Sequence, residues 1–169
     1  MPIFIKKGLL AIAMTFLTNT IHASPVKTER WIMQHSKASV VQARRIATVI
    51  HEQAHERHLP VSLLIGIMQE ESSFKPNARS KQGALGLMQV MPRLHCRKVK
   101  RCNLFNIQTA VQIGTNVLTE CRKKAARRID TLKCYTGYHS RKLTRYAQRV
   151  ESHITGYKEF TPGPLTMND

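Results

Sequence analysis

Acidic residues are scarce in this chain of 169 residues: ten Asp and Glu stand against 27 Lys and Arg, a formal net charge of +17. Such a surplus favours a polyanionic partner, whether nucleic acid, anionic lipid headgroups or an anionic cell wall, and says nothing about fold. Strand patterning is missing too. No stretch alternates apolar and polar residues with period two, and there is no internal repeat or low-complexity tract, which leaves an all-α domain. No Cys-x-x-Cys pair occurs. Beyond Leu17 no second apolar run exists, so no membrane span is expected after the leader.

The leader is the first thing present. Lys6 and Lys7 form a positive region and Gly8 to Leu17 a short apolar one. Ile21-His22-Ala23 then places a small residue before Ser24, as signal-peptidase cleavage requires. Residues 1–23 are therefore expected to be a signal peptide exporting the protein through the Sec route to the periplasm or beyond. An uncleaved N-terminal anchor is the bland alternative, although the run falls short of the roughly 20 residues of a span. Cleavage leaves 146 residues at +15, enough for one domain with a real core, expected over 24–159. The last residues, 160–169, open on Thr161-Pro162-Gly163-Pro164 and are expected to be a flexible tail. In an exported protein, nucleic acid becomes the least expected polyanion. Four cysteines, Cys96, Cys102, Cys121 and Cys134, read as two disulfides in an oxidising compartment. Cys96–Cys102 and Cys121–Cys134 are favoured because both close short loops.

Helical periodicity runs from Ser39 to His58 through Ala43, Ile46, Ala47, Ile50 and Ala54. After Leu59-Pro60, Val61 to Glu71 is apolar nearly all round (Leu63, Leu64, Ile65, Ile67, Met68) and should be the buried helix. Residues 72–103 are rich in Gly, Pro, Ser, Asn and Lys, hence loop with one short helix. Periodicity resumes from Gln108 to Arg128. A short helix around Leu132, Cys134 and Tyr135 and a last one from Leu143 to Tyr157 complete the domain.

One motif points to zinc. His51-Glu52-Gln53-Ala54-His55 is a literal H-E-x-x-H, in which two histidines four apart bind the metal and the glutamate acts as base. At about 100° per residue, however, the apolar stripe centres near Ala47 and Ile50. His51 falls on its edge, His55 further round and Glu52 nearly opposite, facing solvent. Glu56-Arg57 follows instead of an apolar continuation. A polar flank on a surface helix is the stronger reading, and no metal is expected.

A second constellation points to sugar chemistry. Glu71, in Glu71-Ser72-Ser73-Phe74-Lys75-Pro76-Asn77-Ala78, ends the apolar helix beside Phe74. Partial desolvation there would raise its pKa and keep a proton available near neutrality. Glu70 is turned away by about 100° and should face water. Gly83-Ala84-Leu85-Gly86-Leu87-Met88-Gln89 follows, with glycines for close backbone approach, Met88 as an apolar floor and Gln89 as an amide donor and acceptor. Alone, Glu71 is a helix-end carboxylate and the glycine segment a turn entering a helix.

Together, Leu64 to Ser80 and Gly83 to Pro92 resemble the soluble lytic transglycosylases and their E-S-x-F-x-P-x-A-x-S…G-A-x-G-L-M-Q pattern. Asn103-Leu104-Phe105 looks like that family's segment leading into a long helix, and weak similarity extends over roughly residues 40–157. The resemblance implies a lysozyme-like helical domain of the goose-type kind, with Glu71 as catalytic acid and Ser72, Ser80, Gly86, Met88, Gln89 and Tyr135 contacting substrate. It implies no metal or organic cofactor. Peptidoglycan glycan strands are the implied partner, together with a secretion or conjugation apparatus, since small exported members serve such systems. One departure stands out. The family's A-Y-N-x-G is here Cys134-Tyr135-Thr136-Gly137-Tyr138, one residue short and without the Asn, so Tyr135 can fill the tyrosine role while the Asn that would make the amide contact has no counterpart.

The implied reaction uses one acid. A two-carboxylate glycosidase needs its acids about 5 to 9.5 Å apart, whereas Glu52, Glu56, Glu120, Asp130 and Glu151 all read as helix-surface charges. The alternatives are a hydrolytic muramidase and a non-catalytic, basic, exported wall-binding protein. The latter is motivated by Arg122-Lys123-Lys124-Ala125-Ala126-Arg127-Arg128, a run more commonly a solvated helix face.

Overall fold

The computed structural model describes residues 24–97 and 102–162. Their regular structure is helical: α1 Pro25–His35, α2 Val40–Glu56, α3 Val61–Ser72, α4 Pro92–His95, α5 Ile107–Lys123, α6 Arg128–Thr136 and α7 Ser140–Glu159. The signal-peptide reading falls on residues 1–23, outside the described residues. No helix among the described residues is long and apolar enough to cross a membrane.

Helix α3 is the centre. Leu63, Leu64, Ile65, Gly66, Ile67 and Met68 are all buried, as expected of a helix apolar on every side. It packs on α7 and α2, while α5 joins α2 to α6. Gly66 sets the closeness of α3 and α7, since a Cβ there would lie 2.8 Å from the Val150 carbonyl oxygen. Ser39 and Asn106 cap α2 and α5 by accepting from the amides of Gln42 and Thr109, satisfying donors that the first turn leaves open. Ser73 and Phe74 then take left-handed conformations, φ 49° and 58°, which end α3 and turn the Phe74 ring into the core.

Helix α1 has no counterpart in the sequence reading. Only Thr28, Trp31 and Ile32 of its eleven residues are buried, too thin a stripe for periodicity to register. Helix α5 stops at Lys123 rather than continuing to Arg128. Cys121 and Cys134 are joined, with Cα atoms 5.5 Å apart, so the chain must double back between them. Cys96 and Cys102 are joined likewise. Gly83 to Gln89 enters no helix; it is a compact loop held by isolated antiparallel bridges, Arg79 to Leu85 and Leu85 to Val90. Phe160, assigned to the tail by sequence, packs its ring on Trp31 with centroids 5.4 Å apart.

Candidate active site

Glu71 lies one residue before the end of α3, where the helix emerges from the core. Its Oε1 accepts a 2.7 Å hydrogen bond from the Tyr146 hydroxyl on α7. Burial pushes the carboxyl up to about 7; the Tyr146 bond opposes that rise and the neighbouring Glu70 charge adds to it. A neutral, proton-bearing acid near physiological pH results. Burial, then the Glu71 charge, raises the Tyr146 phenol far above its ordinary range, so it acts as a donor. Tyr138 packs edge-on against Tyr146, centroids 5.7 Å apart, and Lys142 lies 3.8 Å over the Tyr138 ring.

Glu70 does not face open water. Arg149 on α7 holds its carboxylate at 2.7 Å, and the His153 ring is 3.7 Å away. The 100° turn between adjacent residues thus sends one carboxylate to Tyr146 and the other to Arg149. Both contacts arrive from α7.

The glycine loop is braced from three sides. Gly86 has φ 75°, and a Cβ on it would collide with the Leu104 carbonyl oxygen, so only glycine fits on both counts. Its amide donates to the Ala78 carbonyl at 2.9 Å. Ser72 Oγ donates to the Leu87 carbonyl at 2.9 Å, and the Tyr135 hydroxyl donates to the Met88 carbonyl at 2.6 Å. Ser80 closes the base of the loop by accepting from the Ala84 amide. Gln89, with φ 46°, donates its side-chain amide to the Gly86 carbonyl. Met88 is buried against Gly114, where any larger residue would meet its sulfur.

Of the residues expected to touch substrate, Ser72, Gly86 and Met88 are buried and Ser80 is half-buried, and each also helps to hold the loop. Gln89 and Tyr135 do border open space. They lie on the wall of a groove of about 620 Å³ that runs past Met91, Leu94, Ile113 and the Cys121–Cys134 bridge. The groove stops short of Glu71, and Tyr135 joins the two: the Glu71 carboxylate, after burial, contributes to raising the Tyr135 phenol. Tyr146 is the residue that sequence reasoning missed. In sequence it is one more apolar position of the last helix beside Val150 and Ile154, and no local signal marks it as the partner of Glu71.

The H-E-x-x-H residues stand apart. The His51 ring nitrogen Nε2 is engaged at 2.9 Å by Thr28 Oγ1, which also meets the Tyr157 hydroxyl. Glu52 and His55 are exposed. Among the described residues no group of three His, Cys, Asp or Glu is placed to share a metal ion.

Residues 48–155, from α2 through most of α7, match the family described as the transglycosylase SLT domain. The chain belongs to this family. Similar proteins include the membrane-bound lytic murein transglycosylase C of Glaesserella parasuis serovar 5, 31% identical over 133 residues, covering 67% of this chain and 36% of the relative. That of Histophilus somni strain 2336 is 38% identical over 94 residues, covering 50% and 26%. That of Haemophilus influenzae strain PittEE is 46% identical over 59 residues, covering 35% and 16%. The chain therefore spans little more than a third of the first SLT relative and about a quarter of the second. The matched SLT region holds Glu71, Tyr135, Tyr146 and the glycine loop, and leaves α1 outside.

Proposed function

We propose that this SLT-family protein is a peptidoglycan lytic transglycosylase, cleaving the β-1,4 bond between N-acetylmuramic acid and N-acetylglucosamine. The observation that carries the reading is Glu71: a carboxyl raised to about 7, with Tyr146 on one oxygen and the other left for substrate. Protonated Glu71 donates to the glycosidic oxygen as the C1–O bond breaks. The acetamido oxygen of the same muramic acid stabilises the cation at C1. Glu71, now a carboxylate steadied by Tyr146, takes the proton of the sugar's C6 hydroxyl as that oxygen bonds to C1. A 1,6-anhydro end forms, Glu71 is protonated again, and no water is consumed. General acid and base roles fall to one group because its pKa sits near the working pH.

Among the described residues, the acids nearest the site and along its groove are tied to basic partners, which supports a single-acid route. Glu70 is bound by Arg149, and Glu56, Asp130 and Glu151 are paired with Arg57, Arg127 and Arg128. Glu120 lines the groove, but Lys123 holds it at 2.7 Å. Residues 1–23 are read as a Sec signal and the domain over 24–159 as acting on the wall in the periplasm, consistent with the names of its relatives. Service to a secretion or conjugation apparatus is a further reading that rests on the family resemblance and on the expected export.

The test is mass spectrometry of peptidoglycan digested with residues 24–169, wild type and Glu71→Gln. Anhydro-muramic ends, lost in the variant, are expected. Reducing ends would make the protein a muramidase and turn attention to Glu120. No product from folded protein would favour a binding role.

A further inference from the structure

The last turn of α3 is an unfavourable place for two carboxyl groups. A helix carries a partial negative charge at its C-terminus, and Glu70 and Glu71 directly precede the final residue, Ser72. No basic residue of that turn opposes them. The compensating cation comes from another element. Arg149 of α7 donates through Nε to Glu70 Oε1 at 2.7 Å and brings a terminal nitrogen equally close to the same oxygen. His153, one turn further on, lies 3.7 Å from the other oxygen. Burial holds the His153 ring below its ordinary range; Glu70 pulls the other way, while His35 and Arg149 add to the lowering. Near neutral pH the positive charge on Glu70 is therefore that of Arg149.

Successive side chains leave a helix about 100° apart, and here four in a row are each engaged by a different group. Gln69 accepts from Trp31 Nε1 at 2.9 Å, Glu70 from Arg149, and Glu71 from the Tyr146 hydroxyl at 2.7 Å. Ser72 Oγ donates to the Leu87 carbonyl at 2.9 Å. Tyr146, Arg149 and His153 stand three and four residues apart, on one face of α7. The face that holds the reacting carboxyl thus also holds its neighbour. Any rotation of the turn that moved Glu70 would carry Glu71 with it. Of the four contacts, the one at Glu70 joins two full charges.

We infer that Glu70 and Arg149 are positioning residues for the reaction, the pair fixing the rotation of the last turn of α3 and so the direction in which Glu71 presents its carboxyl to the sugar. This rests on the transglycosylase reading. Both act through Glu71. The Arg149 side chain is half-exposed, and an ion pair of that kind adds little to global stability. Its leverage is on rate, because a misplacement of about 1 Å costs roughly a hundredfold.

The experiment uses Glu70→Gln, Arg149→Gln and the double variant. It measures kcat and KM on peptidoglycan strands and titrates the Glu71 carboxyl by carbon NMR, its signal assigned by its loss in Glu71→Gln. Each single variant should lose kcat roughly ten- to hundredfold, with KM unchanged and Tm nearly so. Because one contact is broken in every case, the double variant should lose no more than either single variant. The titration is a readout that a merely structural pair would not move. Facing Glu71 are Tyr146 from α7, Tyr135 from α6 and Glu70 from its own helix, with Tyr138 and Lys142 beyond Tyr146. Facing Glu70 are Arg149 and His153, with His35 beside His153. Glu70→Gln removes the one anion of this group and frees the Arg149 cation, so the Glu71 midpoint should fall from about 7. Arg149→Gln leaves that anion unneutralised, and the midpoint should rise. Losses that multiply in the double variant, full kcat in both single variants, or a Glu71 midpoint unmoved in both would each overturn the assignment. If wild type releases no product, the transglycosylase reading fails and the titration decides alone. Midpoints that move apart in the single variants would keep the pair as what sets the Glu71 carboxyl, and coincident midpoints would overturn it.

Discussion

A carboxyl held near 7 inside a fold stores a pH dependence of both activity and stability. For Glu71 the folded value is about 7 against about 4.5 for the free group. Below 4.5 it is protonated in folded and unfolded chains alike and costs nothing. As pH rises from 4.5 to 7 only the unfolded chain releases the proton, so stability falls across that window and stays low above it. The full difference corresponds to about 3 kcal/mol, an upper bound for a partly buried group. Glu71→Gln should therefore raise the urea midpoint at pH 8 and leave it unchanged at pH 4; equal midpoints at both would mean that Glu71 is not desolvated. Tyr146→Phe tests the other half of the pair. Removing the hydroxyl takes away the one influence that lowers the Glu71 pKa, so the alkaline limb of the pH–rate profile should move to higher pH. Turnover should also fall roughly ten- to hundredfold, as expected when a charge-assisted bond to the nascent carboxylate is lost. A kcat loss with a fixed pH limb would assign Tyr146 to packing alone.

Among elements, α6 is short but doubly held: Tyr135 ties it to the glycine loop and the Cys121–Cys134 bridge ties it to α5. Both holds lie on the groove wall. Reducing that bridge, or replacing it by Cys121→Ser/Cys134→Ser, should cost about 3 kcal/mol by loop-closure entropy. Activity should fall further than stability predicts at temperatures where the fold is intact, because α6 then loosens Tyr135 from Met88. Activity that tracks the folded fraction alone would show the bridge to be only a staple. The elements differ in how legibly they were written. α3 was plain because six consecutive buried residues leave no polar face, and the Glu71 and Gly86 segments because their spacing is a family pattern. The ion pair that captures Glu70 and the hydroxyl that reaches Glu71 were not. Both come from α7, 79 and 75 positions further along the sequence, and no local pattern encodes which faces of α3 and α7 will meet. The bond from Ser72 to the Leu87 carbonyl was illegible for a related reason, since it joins residues 15 positions apart across the loop.

At the scale of the molecule, the family match begins inside α2, yet the core does not. α1 crosses to the end of the chain: Trp31 donates through Nε1 to Gln69, two residues before Glu71, stacks on His35 at 3.6 Å, and meets Tyr157 and Phe160 edge-on. Thr28 bridges His51 to Tyr157, which explains a histidine that otherwise reads as half of a zinc motif. The N-terminal helix therefore closes the face of the core formed by α2 and the last turns of α7, and steadies the C-terminal turn of α3 from behind. Trp31→Ala should cost roughly 3–5 kcal/mol, the usual range for deleting a buried aromatic, which for a domain of this size lowers Tm by roughly 10 °C or more. The loss should exceed that of Ile32→Val, which removes one methylene and leaves the Gln69 bond intact. If Trp31→Ala melts within a degree or two of wild type, α1 is an appendage and the region matched by the family is self-sufficient. If it melts far below, the folding unit of this protein is larger than the family domain, and the Glu71 end of α3 depends on a helix outside the region that the family matches.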